Sequence, residues 1–136
     1  MIRLIYGGKG SGKTATMVQL ANDSCSTAKG IIVFIDKSNA LMHQLEHVVK
    51  LVDASEFGVS NCPQLVTFIK GMLAINYDIQ TVFIDNIECI INQSVDKLQD
   101  MFAQLDNLAD RMRVEFIISI HATKEQLPVY CSQYIE

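Results

Sequence analysis

Gly7-Gly8-Lys9-Gly10-Ser11-Gly12-Lys13-Thr14 has the residue types and spacing of a loop that holds phosphate. It satisfies the pattern G-x-x-x-x-G-K-[ST] in full. Glycines allow backbone angles that side chains disfavour, so successive N–H groups can turn inward around phosphate oxygens. Lys13 then sets a cation against the outer phosphates of a nucleoside triphosphate, and the Thr14 hydroxyl is a ligand for Mg2+. Position gives these letters their weight. An apolar run, Ile2 to Tyr6, precedes the loop, and a helical pattern with Met17, Leu20 and Ala21 on one side follows it. A helix starting there adds unpaired amides and the positive end of its dipole.

A second constellation fits the first. The apolar run TVFI, Thr81 to Ile84, ends in Asp85. A buried strand thereby delivers a carboxylate to the crevice where open α/β sheets bind ligands, and Mg2+ prefers such hard oxygen donors. An Asp after a strand is usually a turn or cap residue; the upstream loop is what assigns Asp85 to the metal beside Thr14. Hydrolysis also needs a group that orients or deprotonates water. Glu88, just past Asp85, and Asp36, at the end of the run IIVFI, are the two acids in range. Ser119 and His121 end the run VEFIISI and are placed to sense a terminal phosphate. His43 and His47 have the i, i+4 spacing of a metal pair, but no third ligand is evident, and the pair reads as a solvated helix face.

The elements that must position these groups are legible as periodicity. Strands are expected at Ile2–Tyr6, Ile31–Ile35, Thr81–Ile84 and Val114–Ile120, with Leu51–Ala54 either a short strand or a connection. Continuous Val, Ile and Phe runs suit strands buried on both faces, as in parallel sheets. Helices are expected from Thr14 to about Asn22, after Ser38 (Leu41, Leu45, Val48 and Val49), and after Ser60 or Asn61, with Pro63 in the first turn and Leu65, Val66, Ile69, Met72 and Leu73 buried. A long one should run from Val95 to about Met112. This alternation predicts a three-layer α/β/α sandwich with a mainly parallel sheet of about five strands, as one domain over residues 1–136.

The totals agree with that reading. The chain is 49% hydrophobic and 19% charged, as expected for a folded core rather than a disordered segment. A net charge of −4 gives no general attraction for DNA or anionic membranes, and no basic run provides a local one. Cys25, Cys62, Cys89 and Cys131 are widely separated and form no C-x-x-C pair; they read as small apolar groups in a reducing compartment. With no signal-peptide pattern and no apolar stretch of membrane-spanning length, a cytoplasmic location is expected.

Taken together, GGKGSGKT, AKGIIVFIDKSNAL, TVFIDNIECI and FIISIHAT resemble, in that order, the RecA-type ATPase core, including its relatives among replicative helicases and clock-type ATPases. The resemblance spans almost the whole chain. It implies ATP and Mg2+ as ligands and a parallel sheet with the phosphate-loop strand at its centre. It also implies a final short strand near Gln133–Ile135, and assembly into rings or filaments with a basic residue entering the neighbouring site, for which Lys124 is the candidate. The stretch FIDKSNAL is similar to the recombinase pattern F-I-D-x-E-x-A-L, with Ser38 where the catalytic Glu stands; in other branches the acid lies nearer Asp36. Asn86 likewise stands where many such ATPases place Glu. The chain stops without the DNA-binding loops and C-terminal extension of the recombinases, as a minimal or truncated core would.

Three functions follow in order of fit. The first is an ATPase with weak hydrolysis, using Lys13, Asp36 or Glu88, and Ser119. The second is a nucleotide-dependent switch or assembly scaffold with a protein or homo-oligomeric partner. The third is a small-molecule or nucleoside kinase, disfavoured because the arginines (Arg3, Arg111, Arg113) supply no phosphate-closing lid. Thr123-Lys124-Glu125-Gln126 lacks the Asn and Asp of a guanine-reading N-K-x-D segment, which leaves adenine by elimination.

Overall fold

The apolar runs pair in parallel because each chain return passes over a face of the sheet before the next strand begins. A computed structural model of the chain describes residues 1–135. Its strands are β1 (Ile2–Gly7), β2 (Ile31–Asp36), β3 (Lys50–Asp53), β4 (Ile79–Ile84) and β5 (Glu115–His121). All pairings are parallel, and the spatial order is β1-β5-β4-β2-β3. Helices α1 (Lys13–Ser24), α2 (Cys62–Ile75), α3 (Ile87–Ile91) and α4 (Gln99–Met112) complete an α/β fold in layers.

The core splits along the sheet. On one face, α2, α3 and α4 bury Leu65, Ile69, Ile87, Phe102 and Leu105 against Leu4, Val33, Val82 and Phe116. On the other, Met17, Val18 and Ala21 of α1 pack with Ile32, Phe34, Phe83 and Ile117. Phe34 and Phe83 stack there with ring centres 5.8 Å apart, which ties β2 to β4. The cap of α2 follows the sequence: the Asn61 side chain accepts from the Gln64 N–H at 2.9 Å, and Pro63 occupies the first turn.

Four expectations need correction. β1 is not central; among the described strands its one partner is β5, and it forms one edge of the sheet. The residues beyond β5 coil into 3-10 turns, so no described strand covers its outer side. In particular, Val129–Tyr134 is a 3-10 segment rather than the start of a strand. Its buried Cys131 and Tyr134 hold it on the α4 face, where Tyr130 and Tyr134 meet the Phe102 ring.

The expected helix after Ser38 is a series of turns. Leu41, Leu45 and Val49 are buried as their spacing foretold, while Val48 is exposed. Asn22 of α1 pins the segment, donating to the Gln44 carbonyl and accepting from the Glu46 N–H, both at 2.9 Å. Those main-chain groups are thus bonded to a side chain rather than to a helical ladder. His43 and His47 therefore share no helix face. The long helix expected from Val95 is interrupted: Val95–Lys97 is 3-10, and α4 begins only after Leu98.

Candidate functional site

β1 ends where the loop must begin to fold back. A Cβ on Gly7 would stand 2.2 Å from Ser11 Oγ, so a side chain there would force the Ser11 side chain to move. Gly12 has φ +82°, in the left-handed region that side chains disfavour, and turns the chain directly into α1. No side chain caps α1, and its first turn holds no acid. Its leading N–H groups, which cannot be paired within the helix, are therefore presented to whatever occupies the loop. Lys9, Gly10, Ser11 and Gly12 are exposed at the rim, and Gly8 lies against the Thr123 methyl.

The strand ends bring the chemical groups together. Thr14, on the first turn of α1, donates its hydroxyl to Asp85 Oδ2 at 3.0 Å. Asp85 is only 2% exposed, and its other oxygen accepts from Ser119 Oγ at 2.6 Å. The same Ser119 oxygen accepts the Asn86 N–H at 2.8 Å. Asn86 itself has φ +49°, which bends the chain sharply from β4 into α3. Thus β5 fixes the direction of a carboxylate at the end of β4, and that carboxylate reaches α1. Ser119 is fully buried, and its hydroxyl is committed to Asp85 and the Asn86 N–H.

A second cluster lies alongside. Lys13 Nζ is 3.3 Å from His121 Nδ1, and Glu88 Oε1 accepts the His121 N–H at 2.5 Å. The other Glu88 oxygen is buried without a hydrogen-bond partner. Burial pushes the Glu88 carboxyl up, opposed by the N–H groups it accepts and by the charges of Lys13 and His121.

Asp36 stands apart, at the end of β2. Its Oδ1 accepts the Lys37 N–H at 2.8 Å. Burial raises its pKa to about 6 against the Lys37 hydrogen bond, with the charges of Asp85 and Asp53 adding to the rise. Asp53 in turn accepts the Ser55 hydroxyl at 2.6 Å.

Two features went unread in the sequence. Asp53 adds a third carboxylate to this edge, and nothing in its local pattern distinguishes it from a turn residue. Thr123-Lys124-Glu125-Gln126 forms a capping box that holds the segment beside Gly8; its T-x-x-Q spacing was a usable signal. Lys124 lies exposed in that turn. The cysteines are all free thiols, and among the described residues no group of three His, Cys, Asp or Glu side chains could hold a metal ion. No described helix is long and apolar enough to cross a membrane.

No protein-family model matches the chain, and neither does any curated protein. Among solved structures it is similar to a KaiC-like protein of the hyperthermophilic archaeon Pyrococcus horikoshii OT3. The two are 17% identical with a TM-score of 0.70, and the match covers 98% of this chain and 68% of that one. The likeness is one of fold, and it agrees with a RecA-like core.

Proposed function

We propose that this chain binds ATP with Mg2+ at the Gly7–Thr14 loop and hydrolyses it slowly. The observation that carries the reading is the contact between Thr14 and Asp85, made across the sheet by residues far apart in sequence. A hydroxyl and a carboxylate oxygen at 3.0 Å are two hard donors on adjacent sides of one small space, which is the donor chemistry Mg2+ prefers. A bound Mg2+ would neutralise charge on the phosphate oxygens.

The chain's own groups have distinct parts. The uncapped amides of α1 and the loop hold phosphate oxygens, with Gly7, Gly8, Lys9, Gly10, Ser11 and Gly12 forming the cradle. Lys13 exchanges the His121 ring nitrogen for the outer phosphates, so the ammonium moves onto an anion. Ser119 acts as a positioning residue for Asp85. Glu88 is the better placed of the two acids to orient water, since its unpartnered oxygen lies in the cluster with Lys13 and His121. Asp36 is grouped instead with Asp53 and Asp85.

A switch that holds ATP without turnover is the second reading, and Ser38 favours it. This residue stands where the recombinase pattern has Glu, and its hydroxyl is used within a turn, accepting the Ala40 N–H at 3.2 Å. Titration calorimetry with ATP and Mg2+ tests the shared premise. Wild-type protein should bind, and Lys13→Ala should lose affinity by on the order of a hundredfold, the scale of a charge-assisted contact to phosphate. Equal affinity in the variant overturns the site. Phosphate release by the wild type separates the ATPase from the switch.

A further inference from the structure

His121 holds one end of a contact that nucleotide binding must break. Its ring Nδ1 lies 3.3 Å from Lys13 Nζ, and 108 positions separate the two residues in sequence. Lys13 is the first residue of α1 and His121 the last of β5. An ammonium has donors only, so this contact is a hydrogen bond when the ring nitrogen accepts.

The two partners differ in how firmly they are held. His121 is the register partner of Gly7 across β1 and β5, and its N–H donates to Glu88 Oε1 at 2.5 Å. The next residue, Ala122, forms an antiparallel bridge with Gly7. The Thr123–Gln126 capping box follows, with the Thr123 methyl against Gly8. The main chain beneath the ring is therefore tied to the loop strand, to α3 and to its own turn. Lys13 carries its charge on a flexible stem. The lysine can leave the ring far more easily than the ring can follow the lysine.

We infer that His121 is a positioning residue that parks the Lys13 ammonium while the loop is empty, and so competes with the outer phosphates for it. The inference rests on the proposed nucleotide reading and concerns how that site is regulated. Any ligand that draws Lys13 must first take it from the ring, and the free energy of the parked contact is subtracted from binding. The net worth of one hydrogen bond corresponds to a factor of about two to ten in affinity. ADP and ATP both present an outer phosphate to Lys13, so the ring weakens both alike. As ADP departs, the ring gives the ammonium a partner again, which favours the empty site over one filled with product. Glu88 contributes by fixing the strand end on which the ring stands.

Titration calorimetry of the whole chain with Mg2+ and either ADP or ATP tests this. The His121 side chain is exposed, so leucine in its place sacrifices no buried contact and leaves the main-chain bond to Glu88 available. His121→Leu removes the acceptor and should tighten ADP and ATP binding by the same factor, on the order of fivefold. His121→Asn sets an amide oxygen as many bonds from the main chain as Nδ1, and should bring affinity back to the wild-type level. In a Lys13→Ala background His121→Leu should change nothing, because the contact it removes is already absent. Wild-type protein that binds neither nucleotide defeats the nucleotide reading, and this inference with it. Where the wild type binds, an unchanged affinity in His121→Leu overturns the parking role alone. Weaker binding there, of ATP or of both nucleotides, assigns the ring to orienting Lys13 or to meeting the terminal phosphate, and overturns it as well. So does a gain that persists without Lys13.

Discussion

Ser119→Ala is the substitution whose cost can be worked most directly from this structure. The Ser119 hydroxyl is fully buried, donates to Asp85 Oδ1 at 2.6 Å and accepts the Asn86 N–H at 2.8 Å. Alanine fits the space but leaves two buried polar atoms without a partner, one of them on a carboxylate. Each orphan costs about 1–3 kcal/mol, with the upper end for charged groups. Some relaxation around the shortened side chain is expected, so a net loss of about 3 kcal/mol is reasonable. That is a large share of the roughly 5–15 kcal/mol available to a domain of this size. The midpoint of thermal unfolding, followed by circular dichroism, should fall by about 10 °C. The second readout is ligand-specific: with Asp85 held only by Thr14, ATP affinity in the presence of Mg2+ should drop about tenfold, while affinity in chelator changes little. A variant with wild-type stability and an unaltered Mg2+ dependence would refute the idea that β5 aims Asp85.

Two further substitutions separate the acids. Glu88→Gln keeps an acceptor for the His121 N–H but removes the buried charge, and should cut phosphate release at least tenfold with ATP affinity held; undiminished release removes Glu88 from the mechanism. Asp36→Asn should do the reverse, sparing release and raising stability. The sign follows from an ordinary value of 3.8 raised to about 6, so that between those limits the native state binds more protons than the unfolded one. Stability therefore falls as pH rises through that window, and the penalty is complete above about 6. The full difference corresponds to roughly 3 kcal/mol, which solvent at this partly exposed group reduces to about 1 kcal/mol. Urea unfolding should show the variant ahead by that amount at neutral pH and level with wild type near pH 4. Equal stability at neutral pH counts against a strained Asp36.

Much of the fold was legible because buried parallel strands are written as unbroken apolar runs. Ile31–Ile35 and Thr81–Ile84 needed only one or two residues added at their ends. The turn of Gly7–Gly12 from β1 into α1 was legible because its geometry is local, set by glycine angles and by one helix start. What the residues between Ser38 and Val49 do was not: Leu41, Leu45 and Val49 are buried at helical spacing, but Asn22, from another element, decides their backbone. The place of β1 was misread for a related reason. An edge strand buried on both faces by helices and turns reads like a central one, since only its lateral hydrogen bonds differ, and these leave no mark on side-chain hydrophobicity. The role of Ser119 was likewise hidden, because a serine in a buried strand declares its partners only when the register of β4 and β5 is known.

The electrostatics of the strand ends bear on how a triphosphate would be held here. Three carboxylates, Asp36, Asp53 and Asp85, stand along one edge, and the burial that raises Asp36 also strengthens their mutual repulsion. Against them, the loop offers the Lys13 ammonium, the exposed Lys9 and a set of amides. A polyanion entering alone would gain the amides and Lys13 but meet Asp85 at close range, with both of its oxygens already committed to neutral donors. Thr14 and Asp85 become an asset only when a cation stands between them and the phosphates. On the proposed reading, then, binding of ATP should depend on Mg2+ more steeply than the lysine and the helix amides alone would require. The residue that sets that dependence is the one β5 holds in place.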